Sequence, residues 1–170
     1  MWKYRGKEKP DFAVAPDPGQ ESVWDYPRPP KLMPDTRQVE VFTADQRIAS
    51  SQSCYRVLET ASPPTFYIPP ADIDWQHLRA AAGSSVCEWK GVASYWGLSA
   101  SPQLGAVGWS YPQPTPAFEE IKDYVSFYPA VLACFVAGER VRPQPGRFYG
   151  GWVTREIVGP FKGEPGTGHW

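Results

Sequence analysis

Imidazole and thiol chemistry have little to draw on in this chain. His77 and His169 are its only histidines, and Cys54, Cys87 and Cys134 stand far apart with no CxxC pair. That pattern suggests neither a disulfide framework nor a four-ligand zinc site, so no metal and no other cofactor is expected. A Ser/His/Asp triad would have to recruit its base from one of two poor contexts. An excess of one charge is missing too: 17 basic against 18 acidic side chains leave a formal net charge of −1. Without a broad positive field, neither nucleic acid nor an anionic membrane is an expected partner. The longest nearly unbroken apolar run, AVLACFVA, falls far short of the ~20 residues that span a bilayer. MWKYRGKEKPDF carries charge with no apolar block behind it, so the expected location is cytoplasmic.

What is abundant is proline, glycine and aromatic surface. Twenty prolines and fifteen glycines stand in 170 residues, of which 15% are aromatic. The aromatic content argues against disorder, because it supplies apolar area that offsets the entropy of ordering. The combination reads as short strands, turns and docked extended segments. A chain of this length buries roughly 70% of its unfolded surface, enough for one domain with ordered arms.

Residues 1 to 37 contain EKPDF, APDPG and DYPRPPKLMP, where proline removes backbone donors and excludes central strands and long helices. Trp2, Tyr4, Phe12, Trp24 and Tyr26 are interleaved among them, as in an arm lying on the domain. From Val39 the period becomes two: Val39, Val41 and Thr43 alternate with Glu40, Phe42 and Ala44, which predicts a half-buried strand. SCYRVLE and TFYI predict two more, the second stopped by Pro69-Pro70. PADIDWQHL permits a short helical turn with Asp72 as cap and Ile73, Trp75 and Leu78 pointing inward.

SSVCEWKG, ASYWGL and AVGWSY again suit strands, with Gly91, Gly97 and Gly108 marking bulges or close backbone approach. One α-helix is predicted after PQPTP, with Thr115 capping, Pro116 in the first turn and a stripe of Phe118, Ile121, Val125 and Tyr128. VLACFV and ERV make a hairpin around Ala137-Gly138, and a short strand falls near Trp152 to Val158. The expected architecture is mainly β with one α-helix. It divides into a Pro-rich N-terminal arm (1–37), a core domain (38–141) and a Gly/Pro-rich C-terminal arm (142–170).

The order ESVWDYPRPP, RVLET, PPTFYIPP, CEWKGVASYW, GWSYPQP and FYPAV resembles a bacterial family, domain of unknown function 427, which sometimes carries a nucleotidyltransferase-like label. The resemblance implies a β-tent type fold, two antiparallel sheets leaning together. Some relatives of that fold pin the sheets with zinc. The cysteine spacing here departs from that pattern, so aromatic and proline packing must replace the metal. The nucleotidyltransferase label finds no support in motifs: there is no closely spaced acidic pair for Mg²⁺ and no GxxxxGK[ST] cradle.

The candidate residues lie in the resembling motifs. In VCEWKGVASYW the family commonly has histidine before the cysteine; Val86 stands there instead, which removes the nearest base for Cys87 as a nucleophile. A charged lysine lowers a thiol pKa, but on a regular strand Cys87 and Lys90 point to opposite faces and would converge only across a bulge. Lys90 shares the face of Val86 and Glu88, giving either a surface ion pair or an amine at a cleft mouth that recognises an anion. Glu59, after an apolar RVL, needs a partner if buried, and Lys90 or Arg56 could supply it. A carboxylate beside a lysine is also a general-base candidate.

Tyr67, Tyr95, Trp96, Trp109 and Tyr111 are either core or the walls of an apolar cleft with a few polar fixings. Arg147, Arg155 and Lys162 either close such a cleft or lie in solvent. Three functions compete: a module binding a small polar or aromatic molecule, an enzyme using Glu59 with Lys90 or Cys87, and a scaffold offering DYPRPP to partners. Homo-oligomerisation is left open.

Overall fold

The computed structural model describes all 170 residues, and strands joined by 3-10 turns make up its regular structure. In chain order, β1 (Glu21–Ser22) precedes DYPRPP and β2 (Lys31–Asp35) follows it. Period-two alternation then forms β3 (Val39–Thr43), β4 (Gln46–Ser51) and β5 (Cys54–Leu58), with Val39 and Val41 facing the core. β6 (Thr65–Tyr67) stops ahead of Pro69-Pro70, as its missing donors require. The long hairpin β7 (Leu78–Cys87) and β8 (Gly91–Leu98) leads to β9 (Ala106–Ser110), β10 (Val125–Phe127), β11 (Ala133–Val136) and β12 (Glu139–Arg140). Three two-residue strands close the series: β13 (Arg142–Pro143), β14 (Trp152–Val153) and β15 (Ile157–Val158).

The strands pair as two four-stranded antiparallel sheets, β10-β9-β8-β7 and β12-β11-β3-β4, a three-stranded sheet β2-β5-β6, and two small ribbons, β13-β14 and the parallel β1-β15. The chain is thus mainly β and antiparallel, as expected, though its strands are shared among more than two sheets. A bridge between Ile68 and Val125 links the three-stranded sheet to β10. The predicted hairpin turn is at Ala137-Gly138, both with positive φ, which a tight turn between twisted strands requires. Gly97 sits at a register shift, and a Cβ on Gly108 would stand 2.8 Å from the Ser126 carbonyl, so both glycines permit irregular or close pairing.

The predicted α-helix is not present. Pro116–Ile121 is a six-residue 3-10 segment, broken at Phe118, and Val125 belongs to β10. Phe118, Ile121 and Val125 are buried as their spacing required, but Asp123 turns the chain with φ of 63° between them. Thr115 does not cap the segment: its hydroxyl donates to the Trp89 carbonyl at 2.6 Å. Upstream, Asp72 lies inside a 3-10 turn and accepts from the Ser51 hydroxyl. Ile73 and Leu78 point inward, whereas Trp75 stays at the surface.

The main core packs Val39, Val41, Ile48, Phe66, Ile68, Val107, Phe127 and Trp152 between the sheets. A second cluster, around Val57, Tyr67, Trp109, Tyr111 and Ile121, underlies the β7–β8 turn. The third is made by the terminal segments: Trp24 is 1% exposed and meets the rings of Tyr4, Phe12 and Trp170 edge-on. Burying a side chain of that size contributes on the order of 2–3 kcal/mol. In DYPRPP, Tyr26 and Arg28 are buried, so this stretch is packing rather than an exposed recognition arm. No helix is long and apolar enough to cross a membrane.

Candidate functional site

CEWKG, read above as strand, is a turn. Cys87 pairs with Gly91 at the end of the β7–β8 ladder, and Glu88, Trp89 and Lys90 form the loop. Gly91 closes it with φ of 109°, a conformation a side chain would strain. The segment ahead of Pro116 holds this turn from outside: Thr115 N–H donates to the Lys90 carbonyl, and Gln113 lies so close that a Cβ on Gly91 would meet its carbonyl at 3.2 Å.

A turn reverses the facing rule that applies to a strand. Lys90 does not share the exposed face of Val86 and Glu88; it folds inward and is 8% exposed, while Val86 is 78% exposed. Cys87, expected opposite Lys90, lies beside it, close enough to bear on the charges of both Lys90 and Tyr111. The Lys90 ammonium faces the rings of Tyr111 and Phe118 at 5.7 and 5.9 Å and has no carboxylate within ion-pair distance. Burial pulls its pKa down, but the negative charge that Tyr67, Cys87 and Glu59 carry when ionised more than offsets this and holds it above the ordinary lysine value. Burial in turn raises Tyr67 and Tyr111, so at neutral pH both phenols are hydroxyl donors beside a charged amine.

Around this amine is a cleft of about 400 Å³. Tyr67, Trp109 and Tyr111, which are buried, line it together with Tyr95, Tyr128, Trp2, Trp89, Tyr149 and the exposed Phe148. The Trp109 indole donates to the Tyr67 hydroxyl at 3.1 Å, and the Tyr95 hydroxyl is bonded to Ser85 at 2.7 Å. These bonds fix the rings in place. Trp109 also rests against Gly150, where a Cβ would approach its ring to 2.3 Å; only glycine admits that contact. The Trp89 indole N–H is buried without a partner.

Of the eight residues singled out from the sequence, Glu59, Cys87, Lys90, Tyr67, Tyr95, Trp109 and Tyr111 line this one cleft. Trp96 does not. Alternation along β8 turns it to the other face, where it packs on the main core, meets Trp75 at 4.9 Å and donates to Ser110. Glu59 finds neither of the partners expected for it. Its Oε2 accepts from Arg28 at 3.0 Å, and Arg56 is engaged by Asp35 and Glu21. Arg28 also donates to the carbonyls of Tyr4, Thr60 and Trp170, so it clasps the two terminal segments together and holds the carboxylate at the cleft.

Lys162 is the arm residue that reaches the site. It is 3% exposed, with its amine 3.9 Å from the centre of the Trp2 ring and 5.5 Å from that of Tyr149. Lys162, Lys90, Glu59 and Thr65 line a smaller recess of about 160 Å³ that adjoins the cleft and shares Trp2, Glu59, Thr65, Lys90 and Tyr149 with it. Burial, reinforced by the Arg28 charge and opposed by Glu59, pushes its pKa down to about 8. Arg155 lies out in solvent beside Glu139, and Arg147 is exposed.

Trp2, Trp89, Tyr128, Tyr149 and Gly150 were not singled out as site residues. FYGGW carried the one available signal, a glycine pair between aromatics, and Tyr128 was absorbed into the expected helical stripe. No histidine lines the cleft, and no three His, Cys, Asp or Glu side chains come together to hold a metal. Cys54 and Cys134 are core residues whose thiols burial pushes up to about 12.

No curated protein matches the chain. The model of one family, described as a domain of unknown function (DUF427) and labelled NTP_transf_9, matches residues 31–138. The match covers more than half of the chain, which therefore belongs to this family.

Proposed function

We propose that this member of the DUF427 family is a binding module for a small planar molecule with a polar or charged end, held in the aromatic cleft between Tyr95 and Trp109. One observation carries the reading: a buried ammonium, Lys90, lines an aromatic cavity with no carboxylate paired to it. A buried cation is costly unless matched, and a ligand acceptor would match it. Apolar walls with a few fixed polar groups are the usual build of a small-molecule site. The orphaned Trp89 N–H and the Tyr67 and Tyr111 hydroxyls add donors among the residues of the same cleft.

The acid–base alternative has less behind it. Glu59 is committed to Arg28 through one oxygen, and no ion pair joins it to Lys90. Cys87 has Lys90 and Tyr111 as polar neighbours but no imidazole to accept its proton.

A thermal-shift screen over nucleotides, cyclic imides, oxidised amino acids and sugars tests the binding reading. Binders are expected to raise Tm in the wild type and to lose most of that shift in Trp109→Ala and Tyr95→Ala. A screen in which no compound raises Tm, or in which the shifts survive both substitutions, would remove the cleft as a binding site.

A further inference from the structure

The aromatic cleft accounts for a planar ligand but not for the charge beneath it. Lys90, from the β7–β8 turn, and Lys162, from the C-terminal segment, both line the inner recess. Both side chains are more than nine-tenths buried. None of the nine ion pairs in the molecule involves either one. Lys90 has the Cys87 thiol beside it, and Lys162 has the faces of Trp2 and Tyr149. Neither contact neutralises an ammonium. The carboxylate at the recess, Glu59, already answers Arg28. Three positive charges therefore face one negative charge, a surplus of two.

A surplus of that size under an apolar cleft is expensive until an anion arrives. A single carboxylate would cancel half of it. A phosphate monoester, carrying about −1.5 to −2 at neutral pH with three acceptor oxygens, would cancel nearly all of it. Lysine serves such a group as a point charge that needs no fixed fork geometry. The Thr65 and Ser62 hydroxyls line the same recess and add neutral donors. Thr65 lines both the recess and the aromatic cleft, so a phosphate below and a ring above can belong to one molecule.

We propose that the recess is a phosphate seat, with Lys90 and Lys162 on the oxygens from two sides, and that the ligand is the phosphate monoester of a planar aromatic compound. This rests on the reading of the cleft as a ligand site and names the ligand's class. Trp2 covers the seat: its ring lies over Lys162 and against the Arg28 guanidinium at 4.3 Å, and its indole donates to Glu88.

Titration calorimetry with 1-naphthyl phosphate, 1-naphthol, 1-naphthoate and inorganic phosphate tests the assignment on the full chain. The ester is expected to bind more tightly than the other three. Lys162→Met and Lys90→Met are each expected to weaken it about ten-fold or more, the loss of one charge-assisted contact, and to weaken 1-naphthol, which lacks the phosphate, by a clearly smaller factor. Lys162→Gln serves as a second variant of the same charge, with thermal melts reporting that each protein is folded. If the ester binds no better than naphthol, or the lysine variants bind it as wild type does, the phosphate seat is overturned while the ligand cleft stands. Inorganic phosphate binding as tightly as the ester would overturn the monoester and leave a free-anion site. If none of the four binds, the phosphate seat falls, and the thermal-shift screen alone decides the cleft.

Discussion

Lys162 shows what burying a single charged side chain costs the folded state. Its amine lies under Trp2 and Tyr149, with Arg28 and Glu59 as its charged neighbours, and its pKa is lowered to about 8. In the unfolded chain the same group titrates near 10.5. The native state therefore binds fewer protons between those two values, and stability rises as pH climbs through that window. Below pH 8 the charged amine is a penalty on the folded state. Lys162→Met is thus expected to stabilise the unliganded protein at pH 7, by no more than about 3 kcal/mol, and to flatten the rise between pH 8 and 10.5. Urea denaturation at pH 7, 9 and 10.5 checks both; a variant less stable than wild type at pH 7 would show that the lysine is there for packing. The sequence could offer Lys162 only as a residue that closes a cleft or lies in solvent. The Arg28 charge and the Trp2 ring come from a segment more than a hundred residues away, and nothing in the local pattern encodes them.

At the scale of elements, strands were legible because period two survives wherever one face is buried, as in Val39 and Val41 of β3. The turns at Ala137-Gly138 and Pro69-Pro70 were legible for equally local reasons. Ala137 is expected to be replaceable with profit: its φ of 49° is unfavourable for a residue bearing Cβ. Ala137→Gly should raise stability by about 0.5–1 kcal/mol, the relief of left-handed strain less the added freedom of the unfolded chain. A chemical melt with unchanged m-value measures it, and a loss of stability would mean that the turn carries no such strain. Two elements differ from their sequence pattern for one reason. CEWKG reads as strand and Pro116 to Tyr128 as helix because apolar spacing does not say where a chain reverses. Gly91 and Asp123, at φ of 109° and 63°, make those reversals. The turn at CEWKG decides the site, because on a strand Lys90 would face solvent with Glu88, and in the turn it faces the cleft.

For the whole molecule, the clasp made by Arg28, Trp24 and Trp170 ties the terminal segments to the domain and brings Trp2 and Lys162 to the β7–β8 turn. The bond between Arg147 and Phe148 lies on an exposed stretch beside the cleft mouth. Limited trypsin digestion should therefore cut first after Arg147 and leave residues 18–37 intact, and a cleft ligand should slow that cut by covering Phe148 and Tyr149. Early loss of the first 37 residues would show the clasp to be open in solution. By itself the sequence determined that the chain would be mainly β, that it belongs with its family, and that its polar candidates would fall among aromatics, because period, proline and composition act over a few neighbours. Which of those candidates meet was decided by the tertiary structure alone. Pairing of Cys87 with Gly91 turned Lys90 inward, alternation along β8 sent Trp96 to the core, and Arg28 took the carboxylate of Glu59. Charge and burial at one point in space are sums over distant segments, and no stretch of sequence holds that sum.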